Sequence, residues 1–119
     1  MLGIAIGLFI IAAMFGLFIL FAVLQDRPTP KGAVFTHGPL AAAALIIVLY
    51  YIFTGNYSDG LLITSAVIFV LAAAGGLTMF TFDMMGKPIP KVIAIIHPIA
   101  AATALIMLIV YVYNQTLVS

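Results

Sequence analysis

The 119-residue chain has no cysteine, no glutamate and only seven charged side chains. Without cysteine there is no disulfide, no thiolate metal site and no thiol nucleophile. Its four basic residues leave a net charge of +1, too little to neutralise a run of phosphates, so nucleic acid is excluded as a partner. Charged residues make up 6% of the chain, against about 25% in a soluble domain. The chain lacks the polar surface that water requires.

What it has instead is apolar length. Hydrophobic residues make up 66% of the sequence, and the charges fall only in short segments: Asp26, Arg27 and Lys31, then Asp59, then Asp83, Lys87 and Lys91. Between them run four charge-free stretches, Met1–Leu24, Gly32–Phe53, Leu61–Phe82 and Val92–Tyr113. Each matches the roughly 20 apolar residues a helix needs to cross a bilayer. The expected fold is all-α, an integral membrane four-helix bundle with the lipid bilayer as its main partner. Met1–Leu24 reads as the first span and not as a cleavable signal, because it has no basic leader and its apolar run is too long. All Lys and Arg residues lie in the loops after the first and third spans, and tyrosines gather at the opposite helix ends. By the positive-inside rule the basic loops are cytoplasmic and both termini lie outside. A bacterial inner membrane is the expected location.

The sequence is also duplicated. Residues 27–53 and 87–113, offset by 60, share ten identities, among them Pro28/Pro88, Pro30/Pro90, Lys31/Lys91, His37/His97, Ala41/Ala101, Ala44/Ala104 and Tyr51/Tyr111. The register continues upstream through Phe9/Phe69, Ala12/Ala72 and Gly16/Gly76. Residues 1–60 and 61–119 are therefore expected to be two tandem two-helix repeats within one membrane domain. A repeat with an even number of spans gives parallel copies, related by an axis along the membrane normal. Short loops then predict an up-down-up-down bundle with the second and fourth spans on a diagonal. Gly3 and Gly7, and the small residues at 72–76, suit close helix contacts in lipid.

His37 and His97 are the only histidines. Gly16 lies about 12 Å from the end of its span at Leu24, and His37 lies about 10 Å from Pro30, at 1.5 Å per residue. Gly76 and His97 repeat the relation. One layer of the bundle should therefore hold two histidines and two glycines, with Ala41 and Ala101 following on the histidine faces. A lone intramembrane histidine is commonly a packing or hydrogen-bonding residue. An ionisable group that recurs at one depth in both copies is better read as functional.

A flat macrocycle suits such a layer. Haem iron takes imidazoles on both sides, and glycine lets a porphyrin edge approach the backbone. Arg27, Lys31, Lys87 and Lys91 are placed to pair with its propionates. Pro39 and Pro98 free the carbonyls four residues earlier, those of Phe35 and Ala94, as candidate acceptors for the second ring N–H of each histidine.

The HGPLAAAALIIVL and HPIAAATALIMLI segments, on this four-helix plan, resemble the small four-helix membrane cytochromes b. They are also similar to the histidine-bearing helices of small bacterial membrane proteins thought to bind haem. The resemblance implies axial ligation by His37 and His97 and haem-edge packing at Gly16 and Gly76. It implies one b-type haem per chain, since cytochromes b with two haems use four histidines. No CxxCH occurs, which excludes covalent c-type attachment. The implied function is electron transfer in or beside a respiratory chain, with a quinone or a redox protein as partner, and with a second copy or a larger membrane complex as its assembly. No catalytic residue is assigned.

Three rivals are weighed against it. Small multidrug exporters have this size but depend on an embedded glutamate, which this chain lacks; Asp83 lies at a span's end. A chlorophyll-type pigment protein often carries AxxxH, present as Ala33–His37 but broken by Ile93 in the second copy. A structural subunit of a larger complex is compatible with either cofactor.

Overall fold

A computed structural model describes residues 1–55 and 57–118, with side chains through Thr116. Four helices account for nearly all of it: α1 (Leu2–Leu24), α2 (Lys31–Gly55), α3 (Gly60–Met84) and α4 (Lys91–Val118). All four are long and apolar enough to cross a membrane. The helical state follows from the solvent, because in hydrocarbon every backbone donor and acceptor must find its partner within the segment.

α2, α3 and α4 run beyond the charge-free stretches, and local bonding explains part of the extension. Asp59 caps α3, its Oδ1 accepting from the backbone N–H of Leu61 (2.9 Å) and Leu62 (3.2 Å). Those donors would otherwise be orphaned at the helix start. Replacing Asp59 with Ala is expected to cost about 1 kcal/mol of stability, readable as a lower unfolding midpoint in detergent.

α1 and α3 end in the same way. The N–H of Arg27 donates to the Ala22 carbonyl and that of Lys87 to the Phe82 carbonyl, each at 2.9 Å. The reversals pass through Asp26 at φ 55° and Gly86 at φ 70°. These are six-to-one closures around a left-handed residue, where glycine is unstrained and aspartate is among the better-tolerated alternatives.

α1 packs most closely on α2, and α3 on α4; α1 with α4 and α2 with α3 close the ring more loosely. α1 and α3 are thus one diagonal, and α2 and α4 the other. The bundle measures 48 × 20 × 19 Å. One end carries the 25–30 and 85–90 connections and all the basic residues; we call it the basic end. Tyr51 and Tyr111 mark the other.

The core is uneven along this length. Towards the tyrosine end, Leu62, Val48, Leu108, Ile52 and Tyr111 are packed into one cluster. It closes at Phe9 and Phe69, whose rings stack across the α1–α3 diagonal with centroids 4.0 Å apart and planes within 2°. Beyond this stack the buried positions among the described residues are smaller: Ala12, Ala72, Ala22, Ala94, Val23 and Thr29. The fully buried positions towards the basic end are thus mostly alanine, with larger side chains such as Phe15, Leu40 and Phe82 only half-buried there.

At the basic end, Lys31 Nζ donates to Asp83 Oδ2 (2.8 Å) and to Thr29 Oγ1 (2.6 Å), and Thr29 Oγ1 donates to the same carboxylate oxygen (2.8 Å). Lys91 Nζ lies 3.2 Å from Asp26 Oδ2. These pairs join α2 to α3 and the α1–α2 connection to α4, at the end of the two looser interfaces. The Lys91–Asp26 pair is exposed, where ion pairs contribute little; in the Lys31–Asp83 pair the lysine is half exposed but the carboxylate side chain is largely buried.

Candidate functional site

α2 and α4 carry His37 and His97 to facing positions in the half of the bundle towards the basic end. The ring centroids are 6.2 Å apart and the planes are nearly perpendicular, at 81°. Each ring is anchored by one hydrogen bond to the neighbouring helix. His37 Nδ1 meets the Ala12 carbonyl, and His97 Nδ1 the Ala72 carbonyl, both at 2.7 Å. A carbonyl only accepts, so Nδ1 carries the proton in both rings. In the neutral form of such a ring Nε2 is a lone pair, directed away from the carbonyl by the shape of the ring.

The glycines make these bonds sterically possible. A Cβ on Gly16 would stand 3.1 Å from His37 Cε1 and 3.3 Å from Nδ1; on Gly76 it would stand 3.1 Å from His97 Cε1. Both contacts are tighter than side chains normally tolerate. Gly16 lies four residues after Ala12, and Gly76 four after Ala72, so each glycine sits beside the carbonyl that the imidazole reaches. Glycine here opens the helix surface to its own repeat's histidine.

The sequence reading placed His37, His97, Gly16 and Gly76 in one layer, and these residues do come together. Ala41 and Ala101 follow one turn on and are half-buried. The expected acceptors were different: the ring N–H groups go to Ala12 and Ala72, not to the carbonyls of Phe35 and Ala94 freed by Pro39 and Pro98. A side chain projects away from its own helix axis, so an acceptor across the glycine gap is nearer to hand than one on the preceding turn. Ala12 and Ala72 had no assigned role: they recur at offset 60, but a backbone carbonyl leaves no signal in the residue type.

Arg27, Lys31, Lys87 and Lys91 are all exposed at the basic end. Lys31 and Lys91 are engaged with Asp83 and Asp26, and Arg27 Nε donates to Gln25 Oε1 at 2.7 Å. Lys87 makes no ion pair among the described residues.

Among the described residues no group of three or more His, Asp or Glu side chains converges on a point that would hold a metal ion. Two imidazoles alone make an incomplete coordination sphere. They suit a metal whose remaining donors arrive with it, as in a metallated macrocycle. Two metal–nitrogen bonds of about 2 Å each, with roughly 1.1 Å from nitrogen to ring centre, separate the ring centres of a trans bis-imidazole complex by about 6 Å. The 6.2 Å between the ring centres is of that size and also within the range of an ordinary edge-to-face ring contact.

The chain matches no protein-family model, no curated protein and no solved structure. Its function has to be argued from the site.

Proposed function

We propose that the chain is a membrane-embedded haem protein in which His37 and His97 take the two axial positions of one b-type haem. The reading includes an up-down-up-down arrangement of two tandem two-helix repeats, with the basic loops cytoplasmic, both termini outside, and electron transfer to a quinone or redox protein as the role. A bound haem would supply one-electron chemistry. The chain's own contribution is to hold, orient and enclose.

One observation carries the reading: two imidazoles face each other at 6.2 Å, each with Nδ1 tied to a backbone carbonyl. A fixed Nδ1–H sets tautomer and ring orientation and raises the basicity of Nε2, as second-shell partners of metal-bound histidines do. A histidine kept only for helix packing needs its one hydrogen bond and nothing opposite it. Here Nε2 is left with its lone pair in both copies, and the 6.2 Å between ring centres is the separation that a metal held between two imidazoles would need.

The surroundings suit a macrocycle. The fully buried positions of this half are mostly alanine, and the Phe9–Phe69 stack closes it seven residues, or about 10 Å, beyond the glycines. The exposed cations at the basic end lie on the side where carboxylate substituents are best solvated.

The deciding experiment is the absorbance spectrum of the purified protein, with haem supplied during expression or reconstitution. The expected result is a Soret band with sharp α and β bands on reduction and one haem per chain. Two haems per chain would replace the intramolecular clasp with pairing between chains. A protein that stays colourless with haem in excess would overturn the reading, and red-shifted bands would favour a chlorophyll-type pigment.

A further inference from the structure

We propose that haem enters and leaves its site sideways from the bilayer, between α2 and α3, and that Thr29, Lys31 and Asp83 latch this seam shut. The proposal rests on the haem reading above and specifies how the site is filled.

The route follows by elimination. Towards the tyrosine end, the stacked rings of Phe9 and Phe69 and the buried Leu62 and Leu108 stand across the core. A macrocycle dissolved in hydrocarbon meets the sides of the bundle, not its charged end. Four seams run along those sides. Two lie within the hairpins, and the histidines close both: the His37–Ala12 bond crosses α1–α2, and the His97–Ala72 bond crosses α3–α4. Ser65 also donates to the Ala104 carbonyl across α3–α4, at 2.7 Å. Opening either hairpin would strand these donors in hydrocarbon and undo the orientation of a ligand. Among the described residues, no such bond crosses α1–α4 or α2–α3 at the level of the histidines.

Of these two seams, α2–α3 is the more loosely packed. An open groove runs along its tyrosine half, lined only by apolar side chains, among them Leu49, Ile52 and Phe53 of α2 and Ile63, Val67 and Val70 of α3. Nearer the histidines, the Phe35 and Phe80 rings bridge the seam edge to face, with centroids 6.0 Å apart. Both rings are exposed, and Phe35 lies two residues before His37. At the basic end, Thr29 Oγ1 and Lys31 Nζ both donate to Asp83 Oδ2, each at 2.8 Å. The Asp83 side chain is largely buried, whereas the Lys91–Asp26 pair beside α1–α4 is exposed. The latch has no counterpart in the first repeat, where Val23 takes the place of Asp83.

Interfaces with few contacts and few bonds open at the lowest cost. Parting α2 from α3 turns the two hairpins about the α1–α4 seam, a hinge opening. Each hairpin keeps its own histidine, the Nδ1 bond and the glycine beside it. Both ligands therefore stay oriented while haem passes between them. Closing restores the aromatic contact and the latch.

The chain has no cysteine, so introduced thiols react alone. Phe35→Cys with Phe80→Cys spans α2–α3, and Asp26→Cys with Lys91→Cys lies beside α1–α4. Each double variant is purified without haem and joined by a short, reducible bis-thiosulfonate reagent. Haem is then added in detergent while the Soret band is followed. The α2–α3 link should slow uptake by at least about tenfold, and reductant should restore it. The α1–α4 link should leave the rate within about twofold. Asp83→Asn, in the otherwise unaltered chain, should raise the rates of uptake and loss together by about three- to tenfold, the weight of one part-buried ion pair. Its bound spectrum should not change. Full-rate uptake through the α2–α3 link, or a block by the α1–α4 link in its place, would overturn the route. Unchanged rates in Asp83→Asn would sink the latch. These results leave bis-histidine ligation standing, whereas a wild-type chain that binds no haem removes the haem reading and the proposal with it.

Discussion

His37→Ala and His97→Ala are each expected to remove one axial ligand and open one face of the iron. Bound haem should fall by at least about tenfold at limiting haem, equivalent to 1.4 kcal/mol or more of lost ligation, or convert to a high-spin form that takes up carbon monoxide. The wild type, with both faces occupied, should resist carbon monoxide. The two variants should behave alike, since both rings have the same acceptor distance and the same glycine contact. Any residual difference should follow the local asymmetry of Gly38–Pro39 against Pro98–Ile99. The measurement is haem occupancy and the carbon monoxide difference spectrum of each variant. If one substitution abolishes the spectrum and the other leaves its shape and occupancy intact, the clasp is wrong, and the unaffected histidine is a packing residue.

Gly16→Leu and Gly76→Leu should have the next largest effect, acting through the histidine. A Cβ alone would lie 3.1 Å from the imidazole, and the rest of a leucine cannot fit without displacing the ring. The Nδ1 bond to Ala12 or Ala72 is then broken, and the ring loses the orientation that presents Nε2. Displaced second-shell partners typically cost 10- to 100-fold in metal affinity, so a loss of about that size in haem affinity is expected from either substitution. Insertion should be preserved, because leucine is favourable in hydrocarbon. Alanine separates steric displacement of the histidine from loss of room for the cofactor. Its single methyl needs only a few tenths of an ångström from the ring, so Gly16→Ala should keep most of its haem. Full occupancy in the leucine variants, measured by pyridine haemochrome against protein, would show that the glycines serve helix contact alone.

Much of this site is legible in the residues because depth in a helix is arithmetic. Position along the chain, multiplied by a constant rise, puts Gly16, His37, Gly76 and His97 at one level before any packing is known. The duplication adds that whatever one histidine does, the other is placed to do as well. Where the duplication is broken, the reading runs out. Asp83 corresponds to Val23 and Asp26 to Gly86, so neither the Lys31–Asp83 pair nor the Lys91–Asp26 pair could be inferred from the repeat. Three of the four cations assigned to propionates make hydrogen bonds or ion pairs with other side chains at the same end.

The sequence by itself determined that the chain forms four membrane-length helices, since hydrocarbon admits few other backbones and hydropathy is a sum over residues. It also determined the depth of the histidine layer. Helix rotation and closeness of approach are set by side chains meeting across interfaces, and only the tertiary structure decided them. That decision turned both imidazoles inward to 6.2 Å, brought Gly16 and Gly76 against them, and stacked Phe9 on Phe69. It also chose the carbonyls of Ala12 and Ala72 as the acceptors. A backbone carbonyl has no residue-specific signature, so which one a ring can reach depends on the neighbouring helix and the gap a missing side chain leaves.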